Sequence, residues 1–476
     1  MKKNVFILLS VLYPLTIASQ AKYVFYFIGD GMGQNQVLAT EMFLAEIKGD
    51  IGRESLCFTQ FPVTGQSITF SQSNGITDSS AAGTALASGE KTKNGTLGLL
   101  PDGSPVHTIA EILHEQGWGV GITTSVSIDH ATPGAFYAHV EKRNEYYKIG
   151  TQLATTGFDF FGGSTFYQPY PLIDKKQKIW DKTQPSLYQI CRDSGYVFAH
   201  GYEEYTKLRK GAEKMILIQS YEGLTDDYEG TGMIPYLIDR KAEDLSLAQI
   251  TEAAIDFLYN RHDNFFLMVE GGAIDWACHS NDAATAIMDV MDFDNAIKIA
   301  YVFYQKHSDE TLIVVTADHE TGGMALGNSD YTLNLQVLQH QKVSVEELST
   351  ALHNLHEENG KKLKWEQVCR LLEENLGLWA EVKVSDKQEK QLQKIYKQMK
   401  KENSTKNLYK KLDEIADSAM RILAKQSKLG WTTGNHSASA VGIWAIGQGA
   451  ERFTGWQDNT QIAPKIIQAT KKNNNE

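Results

Sequence analysis

Residues 265–316 read FFLMVEGGAIDWACHSNDAATAIMDVMDFDNAIKIAYVFYQKHSDETLIVVT and decide the fold class. The apolar runs Phe265–Val269 and Leu312–Thr316 predict buried strands, and Asn281–Lys306 between them predicts a helix. A helix between two buried strands favours a right-handed crossover that leaves the strands parallel. We therefore expect a doubly wound α/β fold, with a mostly parallel sheet and helices on both faces. Further strands are predicted at Tyr23–Ile28, Gly119–Thr123, Met215–Ile218 and Ala440–Ala445.

Two segments depart from this alternation of strands and helices. Residues 146–237 are rich in aromatic residues, Lys and Asp, contain one clear strand, and predict an insertion beside the mouth of the site. Residues 344–428 are polar with helical periodicity, which predicts a solvated helical insertion or cap. We expect the catalytic core to comprise residues 22–343 and to resume at residues 429–476.

The charge balance excludes several classes of partner. The chain has 476 residues, with 46 Lys and Arg against 58 Asp and Glu, and a formal net charge of -12. Nucleic acid is not an expected partner, because phosphate backbones bind clustered Lys and Arg and this chain has no basic block. The four Cys are too widely spaced for a CxxC zinc module, although their number allows one or two disulfides. A small molecule is the expected ligand.

The N-terminus predicts export. Lys2 and Lys3 precede an apolar run, Val5 to Ile17, and the small-x-small pattern Ser19-Gln20-Ala21 follows. This pattern is typical of a secretory signal peptide, here residues 1–21. The run is shorter than the ~20 residues that a membrane-spanning helix needs, so a retained anchor is the weaker alternative. We expect a periplasmic or secreted protein without a membrane segment after cleavage.

Acidic residues and histidines follow three of the predicted strands. Asp30 lies in GDGMG after the first strand, Glu270 follows Phe265–Val269, and Asp318-His319 follows Leu312–Thr316. The carboxyl ends of parallel strands meet at one edge of a sheet, where α/β proteins bind their ligands. Burying several carboxylates together is costly without cations. Each fragment alone is commonly structural, but their joint occurrence predicts a metal site.

The residue types indicate which metals are bound. Asp275 and His279 are four residues apart, which places both on one face of a helical turn. Carboxylate and imidazole together are ligands that Zn²⁺ accepts, whereas a site of oxygen atoms alone favours Mg²⁺.

A candidate nucleophile opens an Ala-rich helix in residues 77–86, TDSSAAGTAL. The free N–H groups and partial positive charge of a helix N-terminus favour an anion such as phosphate beside a hydroxyl. An ordinary N-cap explains the same pattern. The residues alone leave Ser79 and Ser80 open as the nucleophile.

In their order along the chain, these motifs resemble the alkaline phosphatase family. The motifs are Gly29–Gly33, Asp78-Ser79, Ala131–Pro133 with Arg143 downstream, Glu270–His279, Ala317–Glu320 and Gly434–His436. The resemblance implies hydrolysis of phosphate monoesters through a phosphoserine, at two Zn²⁺ and one Mg²⁺, with release of inorganic phosphate. It also allows a homodimer.

The resemblance implies a role for individual residues. Ser79 is the implied nucleophile ahead of Ser80, Asp78 orients Ser79 and Arg143, and Arg143 holds the phosphate. One zinc is assigned to Asp275, His279 and His436. The second zinc is assigned to Asp30, Asp318, His319 and the Ser79 oxygen. Magnesium is assigned to Asp30, Thr132 and Glu270. Near this site, His130 and Trp276 replace an Asp and a Lys of some bacterial relatives. We expect both residues to be neighbours of the metal and not ligands.

Two other functions use the same residues. A phosphodiesterase or a sulfatase on this scaffold also needs two metals and a hydroxyl nucleophile. An exported phosphate- or metal-binding protein needs the ligands without turnover. Ser79 separates these alternatives, because a protein that only binds gains nothing from an activated hydroxyl.

Overall fold

The computed structural model describes residues 20–174, 179–220, 232–328 and 330–471. The predicted signal peptide lies outside the described residues, except for Gln20 and Ala21. No helix among the described residues combines the length and apolar character needed to cross a membrane.

The strands of the described residues are numbered in chain order. They are β1 (Tyr23–Gly29), β2 (Val63–Ile68), β3 (Gly119–Thr124), β4 (Phe160–Gly163), β5 (Leu172–Asp174), β6 (Ile179–Trp180), β7 (Tyr196–His200), β8 (Lys214–Ile218), β9 (Phe265–Gly271), β10 (Thr311–Thr316), β11 (Glu320–Thr321), β12 (Met324–Leu326), β13 (Leu429–Trp431), β14 (His436–Ser437), β15 (Val441–Gly447) and β16 (Gly455–Asp458).

The α-helices are numbered in the same way. They are α1 (Gln34–Glu46), α2 (Ser79–Ser88), α3 (Ile109–Glu115), α4 (Ala131–Gly134), α5 (Tyr146–Leu153), α6 (Leu187–Asp193), α7 (Tyr202–Leu208), α8 (Leu247–Tyr259), α9 (Ala273–His279), α10 (Ala283–Lys306), α11 (Val345–Asn359), α12 (Trp365–Leu376), α13 (Asp386–Met399), α14 (Thr405–Ser427) and α15 (Ile462–Ala469).

One large sheet has the strand order β16-β2-β15-β10-β1-β9-β3-β4-β8-β7. β15 runs antiparallel to both of its neighbours, β10 and β2, and the other neighbouring strands of this sheet are parallel. The predicted α/β fold with a mostly parallel sheet is confirmed. The crossovers are helical, as parallel strands require.

β1 shows why the sheet is covered on both faces. Its side chains alternate, so that Val24, Tyr26 and Ile28 join the apolar core on one face. Tyr23, Phe25 and Phe27 join the core on the other face. A strand that is buried on both faces has a continuous apolar sequence. This pattern allowed β1 to be predicted from the sequence.

The two unusual segments differ in how well their structure was predicted. Residues 146–237 contribute β4, β8 and β7 to one edge of the large sheet, so the expectation of a single clear strand was wrong. β8 is the strand predicted at Met215–Ile218, whereas β4 and β7 are only four and five residues long and show no clear period. Residues 344–428 contain α11 to α14, which pack with residues of α1 and α10 into a third apolar core. The domain boundaries themselves stay a prediction.

Candidate active site

Three buried carboxylates lie at one edge of the sheet, where β1, β9 and β10 end. Ile28 of β1 is in register with Glu270 of β9 and with Thr316 of β10, so the residues that follow these strands emerge side by side. Asp30, Glu270 and Asp318 are fully buried. The structure thus brings together the acidic residues that the sequence places after separate strands.

Asp275, His279 and His436 form the first group that could hold a metal ion. His279 Nε2 lies 3.2 Å from Asp275 Oδ2 and 3.2 Å from His436 Nε2. The His279 Nδ1 atom is 2.7 Å from the Gly434 carbonyl, and the His436 Nδ1 atom is 2.8 Å from the Thr77 carbonyl. Because a carbonyl only accepts, both Nδ1 atoms donate, and in the neutral form of each ring the Nε2 atoms carry lone pairs that face one another. A shared cation stabilises such an arrangement.

Asp30, Asp318 and His319 form the second group. His319 Nε2 lies 3.4 Å from Asp30 Oδ1 and 3.2 Å from Asp318 Oδ2. Asp318 Oδ1 accepts hydrogen bonds from the backbone N–H groups of Gly31 and His319. In the described part of the chain, Asp30 Oδ1 and Asp318 Oδ2 have no hydrogen-bond partner. These free oxygens fit a bound cation.

The two groups are adjacent and are joined by Thr321, which the sequence did not identify. The rings of His319 and His436 stack with centroids 3.6 Å apart. Thr321 Oγ1 donates to Asp275 Oδ1 at 2.5 Å and lies 3.3 Å from His319 Nδ1. Its oxygen can therefore accept the Nδ1–H of His319, which leaves the Nε2 atom of His319 free to bind a metal.

A third group consists of Asp30, Glu270 and His130, with one ligand atom of each within 4.8 Å of the others. Thr132, the expected magnesium ligand, donates to Asp30 Oδ2 at 3.4 Å, and Thr124 donates to Glu270 Oε2. His130 Nδ1 and Glu270 Oε1 are buried without a hydrogen-bond partner among the described residues. His130 is thus placed closer to a ligand position than the sequence implied.

Trp276 flanks the third group from the side of α9. Its ring centroid lies 6.1 Å from that of His130 in an edge-to-face arrangement. Burial and the charge of Arg143 lower the pKa of His130 to about 3. His130 is therefore a neutral imidazole with a lone pair, which is the form that binds metals.

The buried carboxylates of the site are stable as anions only when cations are bound beside them. Burial and neighbouring carboxylates raise the pKa values of Asp30 and Asp318 well above their usual range. Burial raises the pKa of Glu270 to about 7, despite the hydrogen bond from Thr124. Bound divalent cations stabilise the ionised forms of such groups. The donor set, the unpartnered oxygens and the imidazole lone pairs all fit metal ions.

Ser79 and Ser80 have different partners at the N-terminus of α2. Ser79 Oγ lies 3.2 Å from His319 Nε2 and faces the second group. Ser80 Oγ instead donates to Asp78, at 2.9 Å to Oδ1 and 2.8 Å to Oδ2. Asp78 also accepts from the Ala81 N–H, which makes it the N-cap of the helix. The structure therefore places Ser79, and not Ser80, against the metal-binding residues.

Arg143 lies on the open side of this arrangement. Its Nη1 atom is 3.4 Å from Asp78 Oδ2, and its Nη2 atom is 3.5 Å from His130 Nε2. The Arg143 N–H also donates to the Gly95 carbonyl, which fixes the backbone. Asp78 contacts Arg143 as the sequence implied, whereas its side chain bonds to Ser80 and not to Ser79. A planar guanidinium beside a hydroxyl and two metal-binding groups suits a phosphate.

Comparisons with known proteins agree on one family. A family model described as alkaline phosphatase matches residues 21–158 and 219–472. Alkaline phosphatase 3 of Bacillus subtilis (strain 168) is 31% identical over 465 residues, covering 95% of this chain and 90% of the relative. The alkaline phosphatase of Schizosaccharomyces pombe is 27% identical over 470 residues, covering 93% and 80%.

Solved structures share the fold. The cold-active alkaline phosphatase from Shewanella sp. superposes with a TM-score of 0.77 at 26% identity, covering 94% of this chain and 100% of that chain. A mutant of the alkaline phosphatase from the Antarctic bacterium TAB5, described with Mg bound in its M3 site, superposes with a TM-score of 0.65. Its identity is 24%, over 96% of this chain and 99% of that chain, so this likeness concerns the fold.

Proposed function

The chain belongs to the alkaline phosphatase family and is a metal-dependent phosphomonoesterase, and we propose that Ser79 is its nucleophile. The observation that carries this proposal is the contact of Ser79 Oγ with His319 Nε2, at 3.2 Å, beside both metal-binding groups. Ser80 is unsuited to the role because its hydroxyl is bonded to Asp78.

The reaction then has two displacements at phosphorus. Arg143 binds two nonbridging oxygens of the phosphate through its planar guanidinium, and Asp78 holds Arg143 in place. The Ser79 oxygen bonds to phosphorus as the ester P–O bond breaks, and the Ser79 proton is transferred to the departing oxygen, so that the alcohol leaves and a phosphoserine remains. A water molecule then attacks this phosphoserine from the vacated side, and inorganic phosphate and Ser79 are released. The partial positive charge at the N-terminus of α2 favours the anion in both steps.

We propose two zinc ions and one magnesium ion for the three groups. One zinc is assigned to Asp275, His279 and His436, and the other to Asp30, Asp318, His319 and the Ser79 oxygen. When bound, zinc supplies a Lewis acid that stabilises the serine alkoxide and the leaving oxygen.

The third metal is assigned to Asp30, Thr132 and Glu270. These three residues supply only oxygen atoms, which favour Mg²⁺. His130 offers this site a nitrogen that a site of oxygen atoms alone lacks, and its Nδ1 has no other partner among the described residues. A metal bound by His130 as well would be Zn²⁺ rather than Mg²⁺, so we keep Asp30, Thr132 and Glu270 as the proposed magnesium ligands.

Replacement of Arg143 by lysine should weaken binding of the phosphate. Lysine keeps the charge but loses the two parallel donors, so kcat/KM should fall by about 10- to 100-fold. Steady-state kinetics with p-nitrophenyl phosphate measure this change, with metal content as the control. An R143K enzyme with unchanged kcat/KM would show that Arg143 is not the phosphate ligand.

Comparison of p-nitrophenyl phosphate with bis(p-nitrophenyl) phosphate tests the preference for monoesters. The monoester dianion offers three terminal oxygens to Arg143 and the metals, whereas the diester has only two and needs room for a second organic group. We expect the monoester to be cleaved at least about 100-fold faster, which corresponds to the loss of one charged interaction. Faster cleavage of the diester would instead favour a phosphodiesterase.

Export and self-association extend this proposal. We infer a periplasmic or secreted protein from the signal-peptide pattern of residues 1–21. We also propose small phosphate monoesters as the substrates, without a nucleic-acid partner, because the chain carries a net charge of -12. A homodimer is compatible with this function.

A further inference from the structure

Glu320 is a buried carboxylate that follows two metal-binding residues without belonging to any metal-binding group. Its side chain has only 4% of its surface exposed. Glu320 Oε1 accepts from Gln36 Nε2 at 2.8 Å and from the Met324 N–H at 3.2 Å. Glu320 Oε2 accepts from the Gly323 N–H at 3.1 Å and from the Ser437 hydroxyl. Four neutral donors from three separate segments thus meet at one carboxylate.

Each of these three segments carries a proposed zinc ligand. Gln36 lies in α1, which begins four residues after Asp30. Gly323 and Met324 follow His319 in the same loop. Ser437 is adjacent to His436 in β14, and β14 pairs with β11 so that Glu320 lies opposite Ser437. Glu320 is therefore the point where the segments of both zinc groups are joined.

The contact between Glu320 and the turn after β1 is also tight. A Cβ atom on Gly33 would lie 2.2 Å from Glu320 Cγ, so this turn approaches the glutamate as closely as a glycine allows. Gln36 is 1% exposed, and its Nε2 atom also donates to the Thr321 carbonyl at 2.8 Å. The Asp30 segment is thereby held against the His319 loop both by packing and by hydrogen bonds.

We propose that Glu320 is a positioning residue that sets zinc affinity by fixing the spacing of Asp30, His319 and His436. Residues that orient metal ligands change metal affinity by about 10- to 100-fold when they are removed. Glu320 acts on three ligands together, because its two oxygens accept hydrogen bonds from neighbouring residues in the segments that carry these ligands, and not from the ligand side chains. This inference rests on the proposed zinc site, and its test measures zinc binding without substrate.

The test is the zinc affinity of E320Q and E320A, measured on the metal-free proteins by competition with a chromogenic chelator. In E320Q an amide N–H₂ replaces one acceptor and faces the N–H of either Gly323 or Met324, so we expect about tenfold weaker zinc binding. In E320A all four donors lose their acceptor, and we expect about 100-fold weaker binding. Activity at saturating zinc should return to within about threefold of wild type for E320Q, because the ligands and the nucleophile are intact.

A matched control is Glu41→Gln. Glu41 lies in α1, the helix that also contains Gln36, and is 2% exposed. Its carboxylate accepts from the Leu56 N–H and the Thr59 hydroxyl and forms an ion pair with Arg53. E41Q should lower the melting temperature without changing zinc affinity. S437A removes only the donor next to His436, and we expect an intermediate loss of zinc affinity. If E320A does not fold, E320Q and S437A decide the question.

The outcomes separate this inference from the proposed function. If E320Q and S437A bind zinc within twofold of wild type while their stability falls as in E41Q, Glu320 is only structural and the inference is wrong. If the wild-type protein itself binds no zinc, the proposed zinc site fails before Glu320 is tested. Restoration of activity by excess zinc in E320Q supports a role through the metal ligands.

Discussion

Replacement of Ser79 by alanine is expected to lower kcat for p-nitrophenyl phosphate by about 10³-fold or more, because the covalent route through a phosphoserine is lost. The hydroxyl is buried and lies 3.2 Å from His319 Nε2, and its removal leaves Asp30, Asp318 and His319 in place as the other proposed ligands of the second zinc. We expect zinc content and melting temperature close to those of the wild type. Steady-state kinetics and metal analysis on the same preparation measure these quantities.

Ser80→Ala is the control for this prediction. Ser80 donates to both oxygens of Asp78, so its loss should cost about 1 kcal/mol of stability and less than about tenfold in kcat. Trapping of a ³²P-labelled enzyme at low pH should label the wild type and S80A but not S79A. Equal activity in S79A and the wild type would contradict the assignment and point to Ser80 or to direct attack by water.

Removal of metal ions is expected to have the second large effect. After treatment with a chelator and dialysis, kcat should fall by more than about 100-fold, since the serine hydroxyl and the leaving oxygen lose their Lewis acids. The melting temperature should also fall, because cations that bind only the folded state stabilise it. Without cations, the buried Asp30, Glu270 and Asp318 repel one another.

Stepwise readdition distinguishes the metals. Zinc should restore most activity, and magnesium added with zinc should complete the recovery, with two zinc and one magnesium ions per chain by elemental analysis. Magnesium alone should restore little, because His279, His319 and His436 supply nitrogen ligands that Mg²⁺ disfavours. A chain with one fully occupied site contains one metal ion. Full activity in protein that contains less than about 0.1 metal ions per chain, a tenfold lower content, would therefore contradict a metal mechanism.

The sequence predicted the centre of the fold better than its edges. β1, β9 and β10 are buried on both faces, and their continuous apolar runs identify them. β2 and β16 are the last two strands at one end of the sheet, and they escaped prediction because polar residues such as Gln66 and Gln457 interrupt their apolar pattern. Their positions depend on tertiary pairing, which local periodicity does not encode.

The same distinction holds for the site. Asp30, Glu270 and Asp318 could be grouped from sequence because each follows a strand and parallel strands end together. His436 could be included only through the family resemblance, since it reaches the site by the pairing of β14 with β11. Thr321 and Glu320 gave no usable signal, because their importance comes from hydrogen bonds to residues far away in the chain. Such contacts depend on the folded geometry.

The position of β15 in the sheet constrains when the molecule can fold. This strand lies between β10 and β2 in the sheet, but it comes after both of them in the chain, at residues 441–447. A growing polypeptide therefore leaves one edge of β10 and both edges of β2 unpaired until β15 and β16 have been synthesised, and such edges favour aggregation. Because His436 precedes β15 by only a few residues, a chain that stops before this stretch lacks a proposed zinc ligand as well as the strand that joins β10 to β2.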